Sequence, residues 1–480
     1  MAFVGETLET LAKSDPQVPA ISCAGRLWTR AQFFSEVLVL AEALQARVPK
    51  GARVALCLDD PVLLLIAFFA VARSGAIAMI YDPEWPQERR AWIDQSVQPA
   101  LTLEKDSFDD VLTALMDEGL LSQGPRRQPD AQDPFYVGFT SGSTGVPKGY
   151  CRSHQSWLES FNVSACEFAI AAGDQVIIPG NMVHSLHLYG AVQGLCSGAH
   201  VDVAERFNPR LVAANLRQSV SAVFYATPTQ IHYVAQELRR SGPALNLRLV
   251  LASGAKWRDA DRIAMAAVFP AARLVEFYGA SEMSFLSLAT PEDNVPSGSV
   301  GRAANGVSLD IRSSAGETLA PGQTGLIWAR SDMLFDGYIC GGGSEIAWED
   351  GWLTVGDLGF IDANGFLFLS GREKRMIVTS GVNIYPEEVE HTLLSHEGVA
   401  LAAVVARPDP IRGSELVAVV SLETGAVVSE ADLRRHCAER LGRSRTPRAF
   451  LFRSEFPLTP GGKIDLMRLE AELQNSEQAQ

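Results

Sequence analysis

Pro61-Val-Leu-Leu-Leu-Ile-Ala-Phe-Phe-Ala-Val-Ala72 is the most apolar run in the chain and the stretch that leaves its fold least freedom. It is too short to span a bilayer, and Arg73, Ser74 and Gly75 close it, so it must be a helix buried on almost every side. Such a helix needs apolar surface around it. Ala52-Arg-Val-Ala-Leu-Cys-Leu58 and Ala76-Ile-Ala-Met-Ile-Tyr81 read as buried strands on either side of it. Strand–helix–strand units of this spacing predict a parallel α/β sheet. The alternation resumes with strands at 175–179, 200–204, 222–226, 247–252 and 273–277, and helices at 186–196, 209–218, 229–240 and 259–268. Ligands of such sheets lie beyond the carboxyl ends of the strands. Ser253-Gly-Ala-Lys256 and Tyr278-Gly-Ala-Ser-Glu282 fall there.

The chain of 480 residues is too long for one core and implies two or three domains. A net charge of −15 argues against nucleic acid as the main partner, since neutralising a phosphate backbone needs a basic face. The seven cysteines are scattered without a CxxC pair, which fits reduced thiols rather than a disulfide frame or zinc site. With no basic region followed by an apolar core at the N-terminus, and no run long enough to span a membrane, the expected location is the cytoplasm.

The segment Tyr136-Val-Gly-Phe-Thr-Ser-Gly-Ser-Thr-Gly-Val-Pro-Lys-Gly149 carries the chemistry. Thr140, Ser141, Ser143 and Thr144 offer hydroxyls, and Gly142 and Gly145 allow close approach of backbone N–H groups to phosphate oxygens. Lys148 adds a cation after Pro147, a spacing different from the Walker loop. The segment resembles the phosphate loop of the adenylate-forming superfamily, which includes acyl- and aryl-CoA synthetases, peptide-synthetase adenylation domains and luciferases. Matched motifs follow in family order from about residue 5 to 470.

The resemblance implies an α/β fold: a large N-terminal domain of parallel-sheet subdomains plus a small β-barrel (residues 1–372), and a smaller mobile α+β lid (373–480), hinged near 371–375. Gly298-Ser-Val-Gly301, Gly325 to Arg330 and Gly337-Tyr338 resemble the barrel. Thr140 to Gly145 and Lys148 would hold the ATP phosphates. Glu-Phe-Tyr-Gly-Ala-Ser-Glu282 resembles the Tyr-Gly-x-Thr-Glu motif: Glu282 would bind Mg²⁺, Ser281 the α-phosphate, and Tyr278 with Ser253, Gly254 and Ala255 would border the adenine. A helix N-cap is the alternative reading of Ser281-Glu282. Gly279 would sit at the mouth of the acyl pocket, Asp357 and Arg372 at the ribose, Lys374 at the pivot, and Gly381 beside the pantetheine channel. Lys463, in Pro457-Leu-Thr-Pro-Gly-Gly-Lys463, would align the carboxylate with the α-phosphate.

The activity implied is ATP- and Mg²⁺-dependent conversion of a carboxylic acid to acyl-AMP, then to a coenzyme A thioester. An acyl carrier protein is the alternative acceptor, and a homodimer is left open. Ser185 falls where amino-acid-activating relatives place an aspartate, which disfavours α-amino acids. The helix 184–196, with Gly190, Ala191 and Gly194, suits an aryl or alkyl acid, and His184 or His187 would match the aromatic gate of the carboxylate pocket. Residues 472–480 read as a frayed polar tail.

Overall fold

A computed structural model of the chain describes residues 2–108, 128–141, 147–254, 263–342, 346–372, 375–379, 382–409, 413–459 and 462–478. The apolar run is the helix Pro61–Ser74, and its ends are encoded locally. The Asp60 carboxylate accepts from the N–H groups of Val62 and Leu63 (2.8 and 3.0 Å), Pro61 opens the first turn, and Gly75 closes the last at φ +79°. Phe69 meets Phe33 of the helix Arg30–Arg47, while Phe68 meets Phe135, Tyr136 and Trp157. The helix is thus enclosed from several sides.

One six-stranded sheet runs in the order Gly337–Cys340, Pro147–Ser153, Pro134–Ser141, Ile77–Ile80, Arg53–Cys57, Leu101–Glu104. Its last four strands are parallel and its first two antiparallel. A nine-stranded sheet has a parallel centre of Arg273–Ala280, Leu247–Ala252, Ala222–Ala226, Gln175–Ile178, His200–Val203 and Pro19–Cys23. Of the expected helix at 259–268, residues 259–262 lie outside those described, 263–265 are helical and 266–268 form a turn.

The small β subdomain comprises Ser308–Arg312, Gly325–Arg330, Ala347–Glu349, Trp352–Thr354, Asp357–Ile361 and Leu367–Arg372. It is an antiparallel sheet whose pairing, among the described residues, does not close into a ring. Gly337-Tyr338 does not belong to it. These residues begin a strand that pairs with Pro147–Ser153, so they border the phosphate-loop stem. The C-terminal part is α+β: strands Val399–Asp409, Gly413–Leu422 and Ala449–Phe452, with helices Pro386–Leu394, Glu430–Leu441 and Leu466–Gln478. The last helix corrects the expectation of a frayed tail. Leu469 and Leu473 pack it onto the sheet beside Val419 and Leu401, which carries helix through residues that look merely polar in sequence.

Candidate active site

The expected phosphate loop joins two paired strands. Pro134–Ser141 and Pro147–Ser153 pair antiparallel with Thr140 opposite Lys148 and Ser141 opposite Pro147. Gly142, Ser143, Thr144 and Gly145, together with the Ser141 side chain, lie outside the described residues. The stem is rigid because the hydroxyls of Tyr136 and Tyr150 meet at 2.7 Å across Gly138, where a Cβ would lie 2.1–2.3 Å from both oxygens. Lys148 is buried, with its ammonium 5.6 Å from the centre of the Tyr338 ring. Tyr338 in turn donates to Glu282 Oε1 at 2.8 Å. One tyrosine therefore connects the cation of the loop to the carboxylate expected to bind metal. Burial and that carboxylate push the Tyr338 pKa up, so the phenol stays a donor.

Ser281 and Glu282 lie in a hairpin turn, not at a helix N-cap. Strand Arg273–Ala280 continues through the motif, reverses, and pairs with Ser284–Ala289, Gly279 lying opposite Phe285 and Ala280 opposite Ser284. Gly279 is required by this crossing, since a Cβ there would lie 1.8 Å from the Ser284 carbonyl oxygen. Arg152, buried to 2% exposure, holds the turn. It donates to the Ser281 carbonyl (2.8 Å), Ser284 Oγ (2.8 Å), the Met333 carbonyl (2.8 Å) and Ser156 Oγ (3.0 Å). Ser284 adopts φ +57°, an unfavourable region for a non-glycine residue that the arginine contact helps to maintain. Nothing in the sequence pattern marks Arg152, because most of its partners are far along the chain.

Asp357 and Arg372 are cross-strand partners. Arg372 Nε donates to Asp357 Oδ1 at 2.8 Å and the Tyr278 hydroxyl donates to Oδ2 at 2.6 Å. The expected ribose carboxylate is thus fixed on both oxygens beside the expected adenine-bordering ring. Gly254, at φ +92°, leaves room on the neighbouring loop, where Ser253 is buried. Ala255, Lys374 and Gly381 lie outside the described residues.

Lys463 enters this cleft from the C-terminal part. A Cβ on Gly254 would lie 2.6 Å from Lys463 Cε and 3.3 Å from its Nζ. Burial and Arg372 hold its ammonium below the ordinary lysine range, to about 8, against the opposing pull of Glu282 and Asp357. The side chain keeps accessible area in the open cleft. The loop is anchored by the Thr227 hydroxyl, which donates to the Gly462 carbonyl at 2.9 Å.

The two histidines separate cleanly. His187 is fully buried between the Asn181 carbonyl (3.0 Å from Nδ1) and Gln230 Oε1 (3.2 Å from Nε2), so it ties the loop to the helix Pro228–Ser241. His184 keeps a buried Nε2 without a partner among the described residues, and burial, Lys463 and His187 lower its pKa to about 4. Ser185 Oγ lies 3.1 Å from Ser281 Oγ. Gly190 and Gly194 do not line a pocket. A Cβ on Gly190 would meet the Tyr225 ring at 2.8 Å, and one on Gly194 would meet Val201 at 2.9 Å. They let the helix Ser185–Cys196 sit close on the sheet.

Residues 8–339 match the pattern of the AMP-binding enzymes, and residues 388–463 that of the AMP-binding enzyme C-terminal domain. The chain belongs to the AMP-binding enzyme family. Within it, the chain is 34% identical over 487 residues to the uncharacterized acyl–CoA ligase YhfT of Bacillus subtilis, covering 99% of each. It is 31% identical over 350 residues to the sulfoacetate–CoA ligase of Cupriavidus necator, covering 72% of this chain and 68% of that one. The anthranilate CoA ligase AuaEII in complex with anthranoyl-AMP superposes with a TM-score of 0.82 at 22% identity, over 98% of each chain. ATP-bound MatB from Rhodopseudomonas palustris does so at 0.80 and 22%, over 97% and 98%. No described helix is long and apolar enough to cross a membrane.

Proposed function

We propose that Lys463, Glu282, Lys148, Thr140 and Asp357 are the working groups of an AMP-forming acid–CoA ligase whose acid is an aryl or fatty acid. The chain activates a carboxylate with ATP to acyl-AMP and pyrophosphate, then transfers the acyl group to coenzyme A with release of AMP. The observation that carries the residue assignment is Lys463, drawn from the far end of the chain to Gly254 within the field of Glu282 and Asp357.

In the first step a carboxylate oxygen attacks the α-phosphorus and the bond to the β-phosphate oxygen breaks. Negative charge accumulates on the α-phosphate oxygens beside the incoming carboxylate. Lys463 aligns the two anions and stabilises that charge, while Thr140, Lys148 and the tip of the hairpin hold the departing pyrophosphate. Asp357 accepts from the ribose hydroxyls once Arg372 and Tyr278 have set its orientation. Glu282 fits Mg²⁺: Tyr338 occupies Oε1, and among the described residues no donor meets Oε2, leaving one hard oxygen for a cation shared with phosphates. Bound there, the ion would supply charge neutralisation on the triphosphate.

His184, neutral and with a free ring nitrogen, suits the wall against the acid's carboxylate better than His187 does. The Ser185–Ser281 pair offers no anion for an α-ammonium, which supports an acid without one. In the second step the thiol sulfur bonds to the acyl carbon and AMP leaves. The pivot for exchanging the two steps is placed at 371–375, where Gly371 has φ +147° and Arg375 grips Glu387 and Glu390 at the start of the lid (2.8 and 2.9 Å).

The test is acid-dependent pyrophosphate release across fatty, benzoic, cinnamic and amino acids, with and without coenzyme A. Release with an aryl or fatty acid and formation of its CoA thioester is the expected result. Acyl-AMP that is passed to a phosphopantetheinyl carrier protein but not to coenzyme A would overturn the assigned acceptor. No pyrophosphate with any acid would overturn the reading itself.

A further inference from the structure

The contact that brings Lys463 into the cleft is narrow and local. Thr227 ends the strand Ala222–Ala226 and caps the helix Pro228–Ser241. Its hydroxyl accepts from the Gln230 N–H (3.3 Å) and donates to the Gly462 carbonyl (2.9 Å), one residue before Lys463. Thr227 and Gln230 are both fully buried, although the partner they hold belongs to a different part of the chain. Gln230 Oε1 closes the capping box on the Thr227 N–H at 3.0 Å and also lies 3.2 Å from His187 Nε2. Among the described residues its amide Nε2 has no partner.

Gly462 fits against that amide with no room left. A Cβ on Gly462 would fall 2.6–2.9 Å from the Gln230 side chain, and its φ of +76° independently favours glycine. A Cβ on Gly180 would lie 3.2 Å from the same Gln230 Nε2. Two glycine backbones thus crowd the amide, one on the loop before His184 and one on the Lys463 loop.

We infer that Thr227 and Gln230 form a docking cradle for the Gly462-Lys463 loop, setting the position of the lysine for acyl-AMP formation and for that half-reaction alone. They are positioning residues: neither need touch acid or nucleotide, and they act by fixing where the Lys463 ammonium sits. The inference rests on the ligase reading above. A lid that moves about 371–375 carries Gly462 away from Thr227 in the thioester step, so the bond contributes only to the first pose. Losing one such neutral, buried hydrogen bond costs about 1 kcal/mol, or roughly fivefold in the population of the docked pose.

The experiment measures the two half-reactions separately in the full chain, using the panel acid that the wild type activates fastest. Acyl-AMP formation is followed by pyrophosphate release without coenzyme A. Thioester formation is followed from preformed acyl-AMP of the same acid plus coenzyme A. Thr227→Val is expected to slow the first about fivefold and leave the second within a factor of about two. Thr227→Ser, which keeps the hydroxyl, is expected to restore the first. Gly462→Ala leaves the Thr227 hydroxyl in place and adds the clash with Gln230, so it should slow the first more than tenfold, again sparing the second. Equal losses in both half-reactions would show a merely structural role and overturn the cradle, as would wild-type rates in the first. A wild type that makes no acyl-AMP from any acid would instead sink the ligase reading, which keeps the two failures distinct.

Discussion

The depressed pKa of Lys463 makes a prediction in which function and stability move in opposite directions. A lysine in water titrates near 10.5; here burial and Arg372 hold it near 8. Between those values the unfolded chain binds a proton that the folded chain has released. Stability contributed by this group therefore rises with pH across that window and is lowest below 8, where the folded site must carry the charge. Activity runs the other way. The ammonium is what aligns the two anions, so kcat/KM for acid-dependent pyrophosphate release should fall about tenfold per pH unit once the pH exceeds the lysine's lowered pKa. Saturating ATP brings phosphate charge to the amine and should move the limb in kcat upward relative to that in kcat/KM. Lys463→Met removes the charge while keeping the apolar stem: acyl-AMP formation should fall roughly 10²–10³-fold, the range for removing a preorganised charge stabiliser, with Tm unchanged or raised. The assay is a stopped-flow pyrophosphate readout from pH 6.5 to 10, together with thermal melts of both proteins. A flat profile to pH 10, or a methionine variant that melts lower and keeps its rate, would refute the placement of the lysine among Gly254, Arg372 and Glu282.

Three further outcomes are expected. Arg152→Met leaves the Ser281 and Met333 carbonyls without their buried donor, so it should lower stability by about 3 kcal/mol in denaturant titrations and depress acyl-AMP formation with it; a soluble variant of wild-type stability would contradict the turn-holding role. Tyr338→Phe keeps the ring beside Lys148 but removes the donor to Glu282. The Mg²⁺ concentration giving half-maximal rate should shift by about tenfold, the scale of one hydrogen bond to a charged group, and an unchanged Mg²⁺ titration would refute the link. His184→Ala should raise KM for the acid with little loss of Tm, whereas His187→Ala should lower Tm, since only the second ring is held by protein on both nitrogens. The reverse pattern would exchange their roles.

What could be read from the sequence divides by how far apart the interacting groups lie. The Thr140–Lys148 segment, Glu282, Asp357 and Lys463 could be picked out as candidates because each stands in a short string whose residue types the expected chemistry demands. The helix Pro61–Ser74 was legible because no other placement hides so apolar a run. Arg152 was not, because its partners are backbone carbonyls and a hydroxyl 129 to 181 residues away, and a carbonyl leaves no trace in residue identity. Gly190 and Gly194 misled for a related reason: a small residue can open a pocket or admit a neighbouring element, and only the direction in which the helix faces decides. Tyr338 was assigned to the wrong subdomain, because strand pairing with the phosphate-loop stem is a matter of register across nearly two hundred residues. Thr227 and Gln230 lie between these cases. Thr-Pro-Thr-Gln has the spacing of a capping box, so a helix start was visible there. That the same hydroxyl also reaches the Gly462 carbonyl, 235 residues on, was not. A cap is a local solution to unpaired N–H groups. When its side chain has a proton to spare and lies at the carboxyl end of a central strand, it faces the one place where a second domain can dock. In this chain the start of a helix and the loop that carries Lys463 are therefore held by the same oxygen atom.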